Sequence, residues 1–475
     1  MNKFVLFLLP LLVFASCGKD LETVTVKSDA KDLLRAPSDS VFNVPDSNSD
    51  DFVQVRLGEI ATVESLDPLY ASSNSEYRTV SLLYEGLTSL NSLGSPSPGL
   101  AKSWDVNSDS TRFIFNLRNN IYFHDSSVFE GGNGRRFIAS DVSYIFKRMT
   151  DNNVPDFTAD HFKDIRGFSA YHNEQTYIKD PAKRVLNSID GIVVRNDSTV
   201  IFQMNKPAPD FLERLAHPMA SVYAKESVPV TGHIQKAAGT GQFAFIKKEG
   251  NAYLLTTNKG YRGFTPAISR LDIVSGLTEK DLYQQFAQGN IDALVELGAS
   301  TLLTVADSTG RLNQSFYNQY NLSKAEANSS YDFYYNSNSG QGNQLSEFLT
   351  ALDSENLLQN IALGSVRIDS VNLTSNQNTG SRQFIVTQTE HPFELFLLNN
   401  MAPQATGVNF SVTMNASYAI SDNVTFTTKP YPGTQKFLSW ESPIYILSNN
   451  RISGLKIENE PWNLSFTSLK ISGTN

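Results

Sequence analysis

Two periodicities stand side by side in this chain, and together they restrict its folds more than any other feature. The run "TRFIFNLR" alternates. Phe113, Phe115 and Leu117 fall on one side, and Arg112, Ile114 and Asn116 on the other, which is the pattern of a strand with one buried face. Soon afterwards "IASDVSYIFKRM" sets Val142, Ile145, Phe146 and Met149 along one stripe of a helix, with Ser140 as the expected N-cap and Asp141 in the first turn. Earlier, "FVQVRLGE" (52–59) predicts a strand, and residues 76–84 a helix with Tyr77, Val80, Leu83 and Tyr84 on one face and Gly86 as its stop. "LAKSWDVN" predicts a strand joined to "TRFIFNLR" by the turn "NSDS", and "IYFHD" is expected to continue that sheet. An all-helical bundle is excluded, and mixed α/β domains are expected.

The pattern persists further on. "IDGIVVRNDSTVIFQMNK" and "GTGQFAFIKKEGNAYLLTTN" predict hairpins, and "DFLERLAHPMASVY" a helical run. "TEKDLYQQFAQGNIDAL" predicts an amphipathic helix followed by a strand. The last third is richer in Ser, Asn and Thr. There "YDFYYN" and "GVNFSVTMN" predict strands and residues 345–363 a helix. No internal repeat is visible.

With 475 residues, 40% of them hydrophobic, the chain has material for two or more domains. A net charge of −9 argues against binding a nucleic-acid backbone, which needs a basic face. The N-terminus has a basic start at Lys3 and an apolar run from Phe4 to Phe14, too short to span a membrane comfortably. Residues 1–16 are therefore expected to be a signal peptide. Cys17, the single cysteine, follows Ala15-Ser16 as in a bacterial lipobox and is the expected lipidation site. Membrane attachment through the lipid is expected at a periplasmic or outer-membrane face of a Gram-negative bacterium. Lys19, Asp20 and Glu22 resemble an export signal of surface lipoproteins. Residues 17–51 then form the lipidated N-terminus and a flexible tether.

Catalytic patterns are missing from the sequence. It contains no G-x-S-x-G elbow and no H-E-x-x-H, and its six histidines have no metal-ligand spacing. "EGGNGRRF" (130–137) lacks the Lys-Ser/Thr pair of a phosphate loop and is expected to be a surface turn ahead of a helix. No catalytic residue, metal site or cofactor is predicted.

The order of several pieces resembles the solute-binding proteins of peptide and nickel ABC transporters, bacterial family 5. The pieces include "SLDPLY" (65–70), "LLYEGLTSL" (82–90), "PGLAKSWDVNSDSTRFIFNLRNNIYFHD" (98–125), "FIASDVSYIFKR" (137–148), "GTGQF" (239–243) and "GNIDAL" (289–294). The likeness covers roughly residues 52–295. It implies an α/β type-II periplasmic-binding-protein fold, two lobes with a ligand cleft plus an additional domain. Mapped onto this chain, domain I takes residues 52–83, 221–325 and 441–475, domain II takes 84–220, and a shortened domain III takes 326–440.

The same likeness implies a small peptide or other small solute as ligand, an ABC permease complex as partner, and a monomer. In peptide-binding members an aspartate in an "A-D-Y-x-D-P" segment grips the ligand's α-amino group, since a buried ammonium needs a carboxylate. The matching stretch here, "TTKPYPGTQKFL" (427–438), has Pro430 at that place, preceded by Lys429 and followed by Tyr431. Tyr70, Lys429 and Tyr431 are the ligand-binding candidates. The two tyrosines either stack on a ligand or pack in the core or hinge. Two functions stay open: a transport receptor, and a surface or periplasmic binding module that no longer serves transport.

Overall fold

The computed structural model describes residues 52–230, 232–307, 309–336, 365–368, 382–387, 408–413, 425–427 and 434–472. In chain order the strands used below are β1 (Gln54–Glu59), β2 (Thr88–Leu90), β3 (Pro96–Pro98), β4 (Ala101–Val106), β5 (Arg112–Leu117), β6 (Ile192–Asn196) and β7 (Thr199–Gln203). They continue as β8 (Phe243–Glu249), β9 (Ala252–Thr257), β10 (Arg270–Val274), β11 (Ala293–Val295), β12 (Tyr320–Asn336), β13 (Ser365–Ile368), β14 (Arg382–Thr387), β15 (Val408–Thr413), β16 (Thr425–Thr427) and β17 (Thr434–Asn449). Two helices matter most, α1 (Asn74–Leu83) and α2 (Ala139–Arg148). The architecture is mixed α/β.

The largest sheet has the order β15-β14-β16-β12-β17-β11-β1-β10-β9-β8, with β13 on β17. At its centre β1 runs parallel to both β10 and β11. Val55 and Leu57 of β1 are fully buried there. A separate four-stranded sheet has the order β4-β5-β7-β6. Phe113, Phe115 and Leu117 of β5 are buried as their alternation predicts. Phe115 meets Phe202 of β7 edge-on at 5.7 Å, and Phe202 meets Phe146 of α2 at 5.0 Å. Val142, Ile145, Phe146 and Met149 are all buried, so the helical stripe is the face α2 lays on this sheet.

Some local expectations fail for identifiable reasons. Ser140 is not the cap of α2. The helix begins at Ala139, and the Asp141 carboxylate accepts the Ile138 N–H at 3.0 Å. "IYFHD" leaves the four-stranded sheet because its amides find other partners: Phe123 N donates to Arg135 O at 2.9 Å and His124 N to Gly239 O at 2.7 Å. "DFLERLAHPMASVY" makes one short helix, Phe211–Arg214, and a 3-10 turn opened by Pro218, whose ring cannot continue an α-helix. The segment "EGGNGRRF" is only partly a surface turn, since Arg135 is buried beneath it. The helix expected over 345–363 lies outside the described residues.

Pieces far apart in sequence close on one another here. His124 Nε2 donates to Gly241 O at 3.0 Å, and the Gly241 N–H donates to Leu83 O at 3.0 Å. "FHD", "GTGQF" and "LLYEG" thus form one junction. A Cβ on Gly239 would lie 2.1 Å from Leu83 O, so only glycine allows that approach.

Candidate functional site

In open α/β sheets, ligands collect outside the carboxyl ends of parallel strands. At that edge β1 ends in Glu59, and β11 is followed directly by Glu296. Both carboxylates turn toward Arg78 of α1. Arg78 Nε donates to Glu59 at 3.0 and 3.1 Å, and its Nη2 donates to Glu59 at 2.6 Å and to Glu296 at 2.8 Å. Its Nη1 donates to the Pro461 carbonyl at 2.9 Å. All three ionic side chains are sealed from water, with exposures of 0% for Arg78, 1% for Glu59 and 3% for Glu296.

Burial raises the pKa of Glu59, and Arg78 pulls against it without cancelling it. For Arg78 burial works against the charge, and the two carboxylates more than offset that. Two carboxylates against one guanidinium leave the cluster one charge in excess on the acidic side, unless Glu59 takes up a proton. Glu296 also holds a left-handed backbone, φ 67°, which costs a non-glycine residue energy and persists only where its surroundings enforce it.

The cluster reaches the two longest strands through Ser329. Its hydroxyl donates to Glu296 at 2.6 Å and accepts from Asn74 Nδ2 at the start of α1, 3.0 Å away. Ser329 belongs to β12, whose 17 residues extend about 55 Å. β12 runs antiparallel to β17 from Tyr320↔Asn449 to Asn336↔Thr434. One end of this ribbon meets β11, and the other carries β13 and β16. The pairing slips between Lys324 and Asn328, where Pro443 of β17 lies opposite. Proline supplies no N–H, so the ladder is interrupted there, next to Ser329, and the pairing slips once more between Phe333 and Tyr334.

Of the residues the sequence singles out, Cys17, Lys429 and Tyr431 lie outside the described residues. Tyr70 is half-buried, edge-on to His233 at 3.9 Å, with the Arg148 guanidinium 5.9 Å from its ring centre. It belongs to a second buried knot. Arg148 Nη1 donates to Asp67 Oδ1 at 2.8 Å and to the Tyr223 hydroxyl at 2.8 Å, and its Nη2 to Asp67 Oδ2 at 2.5 Å. "SLDPLY" and the end of "FIASDVSYIFKR" are therefore two halves of one ion pair. Asp141, read from the sequence as a helix-terminal carboxylate, also receives both Nη groups of Arg135, at 2.9 and 2.7 Å. Arg135 further reaches Glu226 at 2.9 Å and lies 5.0 Å from the Phe123 ring centre, so its donors are turned inward and away from any external anion.

Glu59, Arg78, Glu296 and Ser329 were not picked out from the sequence. The available signal was a lone Arg78 on an otherwise half-apolar helix and a Glu closing each of two short apolar strands. Among the described residues no group of three or more His, Cys, Asp or Glu side chains could hold a metal ion. Among them too, no helix is long and apolar enough to cross a membrane.

Known proteins resemble this chain in part of its sequence and in its fold. The di/tripeptide-binding protein 1 of Pseudomonas aeruginosa is 31% identical over 172 residues, 34% of this chain and 29% of that one. Heme-binding protein A of Haemophilus influenzae is 27% identical over 238 residues, 47% of this chain and 39% of that one. The matched segment thus spans well under half the length of these relatives. Among solved structures, the binding protein AgaA in complex with agropinic acid superposes with a TM-score of 0.66 at 12% identity, covering 89% of this chain and 99% of that one. The dipeptide-binding protein of Pseudoalteromonas sp. SM9913 in complex with Met-Leu gives 0.64 at 14% identity, covering 88% and 100%. These likenesses show the bilobed type-II periplasmic-binding-protein fold. The family described as "Bacterial extracellular solute-binding proteins, family 5 Middle" matches residues 95–352, more than half of the chain. The chain belongs to the bacterial extracellular solute-binding proteins of family 5.

Proposed function

We propose that this chain is an extracytoplasmic receptor that captures a small solute, a short peptide in the first instance, and delivers it to an ABC import permease. The ribbon of β12 and β17 is the observation that carries this reading. In this reading the ribbon serves as the double connection through which one lobe closes on another, and one of its two irregular points is pinned to the strand-end cluster. Closure needs no covalent step. A ligand that contacts both lobes binds the closed form better and shifts the population toward it. Peptide is the favoured class because several relatives are named for di- and tripeptides. The relative named for heme, and the similar fold solved in complex with agropinic acid, are why other solutes belong in the test.

In the same proposal Cys17 carries the lipid and residues 17–51 the tether. Domain I takes 52–83, 221–325 and 441–475, domain II takes 84–220, and domain III takes 326–440. Lys429 and Tyr431 line the ligand from domain III. Tyr70 meets it from the other side if the Asp67–Arg148 knot faces the cleft. A second reading, a surface or periplasmic binding module without transport, is favoured by Pro430 standing where peptide binders carry an aspartate.

Native mass spectrometry of the purified, unlipidated chain tests the peptide reading, followed by thermal shifts against a di- and tripeptide library. A co-purifying peptide, or a saturable rise in Tm with library members, supports it. No peptide and no shift would leave the second reading standing.

A further inference from the structure

Residues 459–463 form a loop that is fastened at two distant points. Asn459 Nδ2 donates to Asn91 O at 2.8 Å, and the Pro461 carbonyl accepts from Arg78 Nη1 at 2.9 Å. The loop also closes on itself. The Asn463 N–H donates to Glu460 O at 2.9 Å, and Asn463 Nδ2 to Asn459 Oδ1 at 3.1 Å. Within it the Trp462 indole stands edge-on to His217 at 4.6 Å and to Tyr77 at 6.1 Å, so its place is fixed. Beside this loop lies a cavity of about 340 Å³. Ser221, Tyr261, Arg262, Glu460 and Trp462 stand on its wall.

The wall keeps polar groups that the fold itself does not use. Ser221 is 3% exposed, and its hydroxyl has no partner among the described residues yet is not sealed from solvent. The little surface it keeps lies on this wall. The Tyr84 hydroxyl and Glu85 Oε2, in contrast, are sealed and take no part. Arg262 gives Nε and Nη2 to Glu85 Oε1 at 2.9 and 2.8 Å, so the two charges answer one another. The Tyr261 hydroxyl, the Trp462 Nε1–H and the half-buried Glu460 carboxylate have no partner among the described residues. Burial pushes the Tyr261 phenol up to about 12, so it stays a donor at neutral pH.

This unused set mixes donors, an acceptor and hydroxyls that do both. An ammonium group only donates and a carboxylate only accepts, so neither satisfies it. A divalent metal asks for six or more oxygens, and Glu460 is the one unengaged carboxylate on the wall. A ring bearing several hydroxyls donates and accepts at each of them, and its C–H groups pack against an indole. The volume falls within the range of about 300–1,000 Å³ that small-molecule pockets occupy. We infer that this cavity is a second ligand site, apart from Tyr70, Lys429 and Tyr431. It takes a neutral polyhydroxylated ring, a free monosaccharide, between Trp462, Glu460, Tyr261 and Ser221.

Calorimetric titration of the full unlipidated chain with D-glucose, D-galactose, D-mannose and N-acetylglucosamine tests the site. Cyclohexanol serves as the ring without the further hydroxyls. At least one of the sugars is expected to bind saturably, and cyclohexanol not at all. Glu460→Ala removes the acceptor and is expected to weaken that sugar about tenfold or more. Ser221→Ala, a change of one buried hydroxyl, is expected to weaken it about threefold. The chain has three tryptophans, and the fluorescence change on titration should vanish in Trp462→Phe. No saturable binding of any of the four sugars, equal binding of cyclohexanol, or binding unaltered in both Glu460→Ala and Ser221→Ala would overturn the inference and leave water as the occupant. Any peptide affinity should be unaltered in Glu460→Ala, which separates failure here from failure of the peptide reading.

Discussion

Ser329 donates its hydroxyl hydrogen to Glu296 across 2.6 Å, although 33 positions separate them in the chain. The bond ties one of the two register slips of the β12–β17 ribbon to the edge where the parallel strands end. Any motion of that ribbon about the step between Lys324 and Asn328 must keep this anchor or break it. Ser329→Ala is expected to cost about 1–3 kcal/mol, because Asn74 and Glu296 each lose a buried partner. Urea unfolding measures it, and a change below a few tenths of a kcal/mol would show that the anchor is incidental.

Removing Arg78 should be worse and should depend on pH. Arg78→Leu leaves Glu59 and Glu296 buried without their cation, at about 3–5 kcal/mol. The folded-state pKa of Glu59 is already raised by burial with Arg78 present, and it rises further without it. A carboxyl with a raised folded pKa contributes stability that is present below its unfolded pKa and lost as pH rises through the folded one. The variant is therefore expected to lose more stability at pH 8 than at pH 5. Equal losses at the two pH values would contradict the assignment.

His217 supplies the opposite sign. It is packed edge-on against Tyr77 at 4.8 Å and Trp462 at 4.6 Å, and burial, with His161 nearby, lowers its pKa to about 3. The native state resists a proton that the unfolded chain accepts near 6.5. Stability from this residue is complete above that pH and falls toward about 3. The slope is roughly 1.4 kcal/mol per pH unit. Denaturant midpoints of the wild type and His217→Phe, followed from pH 7 to pH 4, should converge as acid is added. Parallel curves would mean that the imidazole titrates normally.

Gly239→Ala tests the junction of "FHD", "GTGQF" and "LLYEG". The added Cβ would sit 2.1 Å from Leu83 O and 2.4 Å from Tyr84 Cδ1, so backbone must move. A loss of about 1–3 kcal/mol or more is expected in thermal unfolding. Wild-type Tm in the variant would mean that the contact relaxes freely.

Cys17→Ser should abolish incorporation of labelled acyl chains in cells. Unchanged labelling would remove the lipid anchor from the proposal.

Much of the fold was legible because its signals are local. Phe113, Phe115 and Leu117 alternate within six residues, and Val142, Ile145, Phe146 and Met149 repeat within eight, so short windows revealed a strand and a helix with their buried faces. Local signals misled where a partner came from elsewhere. Ser140 looked like a cap, but Asp141 took the task, itself held by Arg135 and through it tied to Glu226. The site was harder still. Arg78 and Glu296 are 218 positions apart, and Arg148 and Asp67 are 81 apart.

By itself, the sequence determined the mixed α/β class, the order of its segments and the family they resemble, because side-chain periodicity and turn chemistry act over a few residues. Only the tertiary structure decided which charges are buried together. An arginine on a helix is ordinarily solvated, and what makes Arg78 a structural cation is the pair of carboxylates that the ends of β1 and β11 bring to it. That pairing follows from strand order in the sheet, a long-range property that local periodicity does not encode.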